Sequence, residues 1–247
     1  MARQVYGVNP VRELVRARAR DIATVYLLEG ETGPALLQLR AALASAEVAV
    51  EQRTRAELDA LAGGARHQGV IALAGEYEYA SVDGILARAA QDKTPALVLV
   101  LDGVQDAGNL GALVRSAHVL GAHGVVVPKD RAARVTPAVV KASAGATEHL
   151  PIAQVVNLVR TLEELKEHGL WITGACLGKG AVPPWQVDLS GPTALVVGAE
   201  GKGIRPLVEK TCDLRVEIPM AGGVASLNAA AAGALLLYEA RRQRAAT

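Results

Sequence analysis

Five short, almost uninterrupted apolar runs constrain this chain more than any other feature: "ALVLVLD" (96–102), "GVVVP" (124–128), "LWITGA" (170–175), "ALVVGA" (194–199) and "LRVEIPM" (214–220). Each has the length of a strand rather than a helix and is rich in Val, Leu or Ile. A strand with one wet face alternates apolar and polar residues, whereas a strand apolar on both faces belongs to a parallel sheet covered by helices on both sides. Helical patterns lie between the runs, so residues 95–247 are predicted to form an α/β domain. A last helix over Leu227–Arg244, apolar on one face, ends in "ARRQR".

A second, smaller α/β unit is predicted over 1–75. It combines helices near 8–18, 34–43 and 54–61 with the strand "TVYLL" (24–28), the β-branched run "EVAVEQ", and "GVIALAG" as a closing strand. Residues 76–94, polar and turn-rich at both ends with one short helical stretch, read as a linker. The 247 residues, 51% of them hydrophobic, suffice for two cores.

The net charge of +1 gives no general warrant for a nucleic-acid or membrane partner, so any basic surface must be local. The first twenty residues lack the apolar core of a secretory signal, and no run reaches the roughly 18 charge-free apolar residues of a membrane span. A soluble, cytoplasmic protein is expected. Cys176 and Cys212 stand 36 positions apart with no histidine at ligand spacing, which reads as reduced packing residues and no metal site. The absence of Phe argues against a broad base-stacking surface.

In open parallel sheets, ligands bind beyond the carboxyl ends of the strands. After the first run stands "DAGNLGALVR", with Asn109 at a helix start and Arg115 six residues on; the glycine fingerprint of dinucleotide sites is missing. Asn109 either caps the helix, leaving Arg115 a solvated charge, or both address a ligand. After the fourth run, "GAEGKG" (198–203) holds Glu200 in a glycine-rich turn that lacks the hydroxyl of a P-loop. "GACLGKG" (174–180) fails the same pattern. After the fifth, "IPMAGGVASLNAAAAG" sets Ser226 and Asn228 before an alanine-rich helix, where Ser226 is either an N-cap or part of a pocket. Three polar ends on one sheet favour a pocket.

These segments resemble the three motifs of the SpoU (TrmH-like) RNA ribose 2′-O-methyltransferases of the SPOUT class: Asn109, Gly111 and Arg115 with the strand that follows, "VVGAEGKGI", and "IPMAGGVASLNAAAA". "KASAGATEHLPI" (141–152) and "HQGVIA" (67–72) further resemble the bacterial subgroup that methylates a guanosine of 23S ribosomal RNA. Ala107 replaces a frequent proline, and Ala229-Ala230 a frequent Val-Ser.

The resemblance implies a trefoil-knotted parallel-sheet domain behind an L30e-like RNA-binding domain, S-adenosylmethionine as cofactor, and a homodimer whose sites are completed across subunits. It implies a donor site at Gly198, Gly201, Ile218, Met220 and Leu227, and a catalytic set of Asn109, Arg115, Glu200, Ser226 and Asn228. In that set Arg115 clamps the phosphate beside the reacting ribose, while Asn109 and Glu200 orient Arg115 or the ribose. A tRNA ribose methyltransferase and a non-catalytic RNA-binding assembly factor are the alternatives. Two local basic clusters suit RNA or are solvated faces: Arg12, Arg16, Arg18 and Arg20, and Lys129, Arg131, Arg134 and Lys141.

Overall fold

The computed structural model describes residues 2–30, 33–178, 180–223 and 226–245. In chain order the elements are β1 (Arg3–Tyr6), α1 (Val8–Arg18), β2 (Ile22–Leu28), α2 (Pro34–Ser45), β3 (Val50–Arg53), α3 (Arg55–Ala62), β4 (Val70–Ala74), α4 (Val82–Asp92), β5 (Leu97–Asp102) and α5 (Ala107–Val119). There follow β6 (Gly124–Pro128), α6 (Pro137–Ala142), β7 (Ile152–Val155), α7 (Leu158–Glu167), β8 (Trp171–Ala175), β9 (Thr193–Gly198), α8 (Pro206–Thr211), β10 (Leu214–Val216) and α9 (Ala229–Ala245). They divide into two units, Met1–Glu78 with Val135–His149, and Tyr79–Arg134 with Leu150–Thr247.

The first unit is a mixed four-stranded sheet in the order β1-β4-β2-β3, with β4 antiparallel to both neighbours and β2 parallel to β3. Val5, Val25, Leu27, Val70 and Ala72 pack against Val11 and Leu14 of α1 and Leu39 and Leu43 of α2. Helix α3 starts from a capping box in which Thr54 and Glu57 satisfy each other's backbone amides. Residues 135–149, beyond the 1–75 span read for this unit, join it. Val140 enters its core, and the buried carboxylate of Glu148 takes two hydrogen bonds from the Arg3 guanidinium at 2.8 and 2.7 Å.

The second unit holds a six-stranded sheet, all parallel, in the order β10-β8-β9-β5-β6-β7. Every residue of β5, β6 and β9 is buried, as the apolar runs require. Ile85 of α4, Leu162 and Leu165 of α7 and Val208 of α8 cluster with Val98, Val100, Val126 and Val196. Helices α5 and α9 pack together, and α9 also lies on β9. At Gly233 a Cβ would stand 2.3 Å from Leu113 Cδ2, so the Leu113 side chain packs into the space left by this glycine.

Two predicted boundaries change. The sheet has six strands rather than five, because "IAQV" forms β7. The last strand is Leu214–Val216 rather than 214–220: Glu217 N turns to the Val182 carbonyl, and the chain leaves the sheet. β10 is an edge strand and α9 lies on β9, and between them Ile218, Met220, Ser226 and Leu227 line one cleft with Ala175 and Gly198 at the carboxyl ends of β8 and β9. The far end of α9 is fixed by Arg244, whose guanidinium donates to the carbonyls of Leu189, Pro95, Ala96 and Gly191 at 2.6–3.1 Å.

Candidate active site at the carboxyl ends of the parallel strands

Three chain segments converge beyond the ends of β5, β9 and β10. At the first, Asp106 is the N-cap of α5 and its carboxylate accepts from Asn109 N at 2.7 Å. The cap reading of Asn109 is thereby corrected: aspartate three residues earlier fills that position, and the Asn109 side chain is left for other partners. Its Nδ2 donates to Glu200 Oε2 at 3.3 Å, and its Oδ1 accepts from Asn228 Nδ2 at 2.9 Å. The Asn228 Oδ1 in turn accepts from Ala230 N and Ala231 N at 2.8 and 3.2 Å. Asn228 therefore caps α9, which corrects the alternative that gave this task to Ser226.

The second segment is a tight hairpin. Ala199 and Gly203 exchange backbone hydrogen bonds at 3.1 and 2.8 Å, and Gly201 and Gly203 have φ of +75° and +65°. A Cβ on Gly198 would lie 2.1 Å from the carbonyl carbon of Gly203, so the hairpin closes only over glycine. Glu200 sits at its tip, facing Asn109. Asn109 is thus the centre of the link, its amide holding Glu200 of the hairpin on one side and Asn228 ahead of α9 on the other.

Beside this chain of side chains lies an open, largely apolar cleft. Gly198, Gly201, Ile218, Met220, Ser226 and Leu227 all line it, together with Cys176, Leu177 and Glu200. Among the described lining residues Glu200 is the only charged one. Burial pushes the Cys176 thiol up to about 11, and burial together with the neighbouring Cys176 pushes Cys212 up to about 12. Among the described residues no group of three or more His, Cys, Asp or Glu is placed to hold a metal ion.

Arg115 stands apart from this assembly. Six residues on a helix turn through about 600°, so Arg115 points roughly 120° away from Asn109. It is exposed, does not line the cleft, and makes no hydrogen bond or ion pair among the described residues. Asn109 and Glu200 hold each other, rather than Arg115. The basic clusters also divide: Arg16 pairs with Glu13, and Lys141 donates to the Arg66 carbonyl within the first unit, while Lys129, Arg131 and Arg134 are exposed in the second.

Two residues that the sequence reading passed over join the site. Asp102, at the end of β5, is buried and bonded to the backbone and side chain of Arg205. A carboxylate closing an otherwise apolar strand was the available signal.

A parallel sheet with a polar chain of side chains and an apolar cleft beyond its carboxyl ends defines a small-molecule enzyme site of the α/β class. The chain belongs to the SpoU rRNA methylase family, whose model matches residues 96–238, and a model described as RNA 2′-O ribose methyltransferase substrate binding matches residues 4–80. Its fold is that of the knotted SPOUT methyltransferases with a small front unit. More particularly, the chain is similar to the 23S rRNA (guanosine-2′-O-)-methyltransferase RlmB of Pseudomonas syringae pv. tomato, with 44% identity over 98% of this chain and 96% of the relative. The SpoU methyltransferase AviRb of Streptomyces viridochromogenes, solved with AdoMet, superimposes with a TM-score of 0.80 at 28% identity, over 99% of this chain and 91% of that one. The A. aeolicus TrmH/SpoU tRNA modifying enzyme covers only 66% of this chain and 85% of its own, with a TM-score of 0.57 and 29% identity.

No helix among the described residues is long and apolar enough to cross a membrane.

Proposed function

We infer that this protein methylates the 2′-hydroxyl of a guanosine ribose in 23S ribosomal RNA, using S-adenosylmethionine bound in the cleft of the second unit. The observation that carries this reading is the Glu200–Asn109–Asn228 chain, centred on Asn109, which joins the three family motifs at the rim of a cleft whose described walls carry one charged residue. The cleft suits the donor chemically. Ile218, Met220, Leu227 and Leu177 offer apolar walls for an adenine, the glycines at 198 and 201 open backbone groups to a ligand, and the Glu200 carboxylate complements a sulfonium cation. When bound, the donor supplies an electrophilic methyl group.

The chain's own residues then have separate tasks. Gly198, Gly201, Ile218, Met220 and Leu227 hold the donor, and Ser226 shapes the wall beside its reactive end. Asn228 holds the Asn109 amide, and Asn109 in turn donates to Glu200 and orients its carboxylate. A ribose hydroxyl is a poor nucleophile until its proton is taken as the new bond forms. Guanidinium is never neutral in proteins, so Arg115 acts as a cation: it grips the phosphate next to the target ribose and favours the alkoxide, while the proton leaves to phosphate or water. Alignment of hydroxyl and methyl group supplies much of the acceleration.

An exposed Arg115 suits a homodimer in which it serves the partner's cleft. Val119, one helical turn further along α5, is 73% exposed, and Tyr238 on α9 is 59% exposed; with Leu235 they offer apolar area to a second copy. The front unit binds RNA and selects the substrate, and the work is cytoplasmic, where ribosomal RNA is matured. A tRNA substrate is the lesser reading, because the tRNA modifying enzyme named above covers only two-thirds of the chain.

The test is to map 2′-O-methyl sites in ribosomal RNA and tRNA from cells with and without the gene, and to follow labelled methyl transfer to 23S transcripts in vitro. Loss of one 23S guanosine methylation is expected. Loss of a tRNA methylation alone overturns the substrate, and no methyl transfer to any RNA overturns the enzyme.

A further inference from the structure

The hairpin that carries Glu200 is secured at its base by a pair of side chains, Asp102 and Arg205, that do not line the cleft. Asp102 is the last residue of β5 and is 1% exposed. Both of its carboxylate oxygens are used by one residue: Oδ2 accepts from Arg205 N at 2.7 Å and Oδ1 from Arg205 Nε at 2.6 Å. The Arg205 side chain is half in solvent. Burying a carboxylate at the end of an apolar strand is unfavourable unless it is paired and hydrogen-bonded, and the net stabilisation from such a pair is small compared with an apolar replacement. Stability alone is therefore a poor reason for its presence.

Strand alignment is a poor reason as well. β5 and β9 are already in register from Leu97↔Thr193 to Asp102↔Gly198. What the pair fixes is the chain after β9. Arg205 is the residue where the hairpin ends, and holding its backbone N–H and its guanidinium together leaves the hairpin one exit direction. The segments at 103–109 and 199–205 are thus tied twice, by Asp102–Arg205 at the base and by Asn109–Glu200 at the tip. The hairpin so held, with the strand end before it, supplies Gly198, Ala199, Glu200, Gly201 and Gly203 to the cleft wall.

We propose that Asp102 and Arg205 are positioning residues for the methyl donor: the clamp orders the 199–205 hairpin before the donor arrives. A preordered loop spares the ligand the entropy of ordering it, which raises affinity without altering the transition state. The effect belongs in donor affinity and in KM for the donor rather than in kcat. Backbone entropy recovered by one or two residues of a freed hairpin weakens donor binding by about 10- to 100-fold. The proposal rests on the cleft being the donor site.

Arg205→Ala strands the Asp102 carboxylate, so the decisive variant is the double substitution Asp102→Asn with Arg205→Met, which removes both charges and keeps the volumes. Arg205→Lys is the conservative companion. Each is compared with the unaltered protein by calorimetric titration with S-adenosylmethionine, by steady-state kinetics at saturating RNA, and by thermal unfolding. The expected result is donor affinity lower by about 10- to 100-fold in the double variant, kcat at saturating donor within about threefold, an unfolding midpoint close to the parent, and partial recovery in Arg205→Lys. Unchanged donor affinity, or a fall in kcat with affinity retained, overturns the clamp. Should the double variant fail to fold, Arg205→Lys decides: affinity equal to that of the parent overturns the proposal, and an intermediate loss supports it. Leu227→Glu in the cleft wall separates the two levels. If it abolishes donor binding while the clamp variants bind normally, only the clamp is wrong; if it too leaves binding intact, the cleft assignment and the clamp fall together.

Discussion

Replacing Arg244 by Met tests how the last helix is kept in place. The guanidinium donates to four backbone carbonyls, those of Pro95 and Ala96 before β5 and of Leu189 and Gly191 before β9. These acceptors are not equally dependent on it. Ala96 O also accepts from Thr193 N at 2.8 Å, and Gly191 O from Thr193 Oγ1 at 2.9 Å, so both keep a donor when Arg244 is removed. Pro95 is exposed, and its carbonyl takes up water. The main loss falls on Leu189 O, with weaker charge-assisted bonds lost elsewhere. At about 1.5–3 kcal/mol for a hydrogen bond to a charged group, one full loss plus fractions of three others comes to about 3 kcal/mol. For a domain of this size that lowers Tm by about 6–12 °C. Methionine retains most of the aliphatic stem, so the change isolates the guanidinium. Arg244→Lys, with one ammonium and no fork, should lie between the two. Scanning calorimetry of the three proteins is the assay. A Tm for Arg244→Met within about 2 °C of the parent, less than 1 kcal/mol on the same scale, would refute the reasoning that α9 is anchored through these carbonyls.

Three further outcomes are expected. Arg115→Lys should lower methyl transfer at least about 100-fold while donor affinity stays at the parental value, because lysine keeps the charge but loses the bidentate grip on phosphate; near-normal turnover in a methyl-transfer assay contradicts that role. His123 is buried, accepts from Leu97 N through Nδ1 and meets the Thr94 hydroxyl through Nε2, and burial lowers its pKa from 6.5. A depressed histidine favours folding above its unfolded pKa, and that contribution is lost as pH falls below about 6.5 toward the folded value; urea unfolding from pH 8 to 5 should show a slope that His123→Asn flattens. The Cys176 and Cys212 thiols, raised to about 11 and 12, should resist iodoacetamide at pH 8 in the folded protein and react once it is unfolded, as read by mass spectrometry.

The central strands were legible because burial on both faces leaves an uninterrupted apolar run, and β5, β6, β8 and β9 all lie within one residue of their predicted bounds at each end. β1 and β7, of four residues each, were not: RQVY and IAQV each contain a glutamine and are too short for a pattern to stand out. The assignment of residues 135–149 to the first unit depends on Val140 and Glu148 finding partners far along the chain, which no local signal carries. At the site, the residue types were readable but not which of them caps. Ser, Asn and Asp are almost equivalent N-caps, and three-dimensional placement decided for Asp106 over Asn109 and for Asn228 over Ser226. The outward phase of Arg115 was contained in its six-residue spacing from Asn109. The Asp102–Arg205 contact, spanning 103 residues, was not.

The position of Asn228 has a consequence for how the protein is made. The cleft takes its walls from Ala175 onward, and the last of them, Ser226, Leu227, Ala229 and Ala232, are set by the helix that Asn228 caps. A chain still being translated through that helix has its sheet and its glycine hairpin but lacks the last side of the cleft. The cleft with all its walls is therefore presented only by a finished chain. Products of synthesis interrupted before that helix would carry the front unit and the parallel sheet with the cleft open on one side.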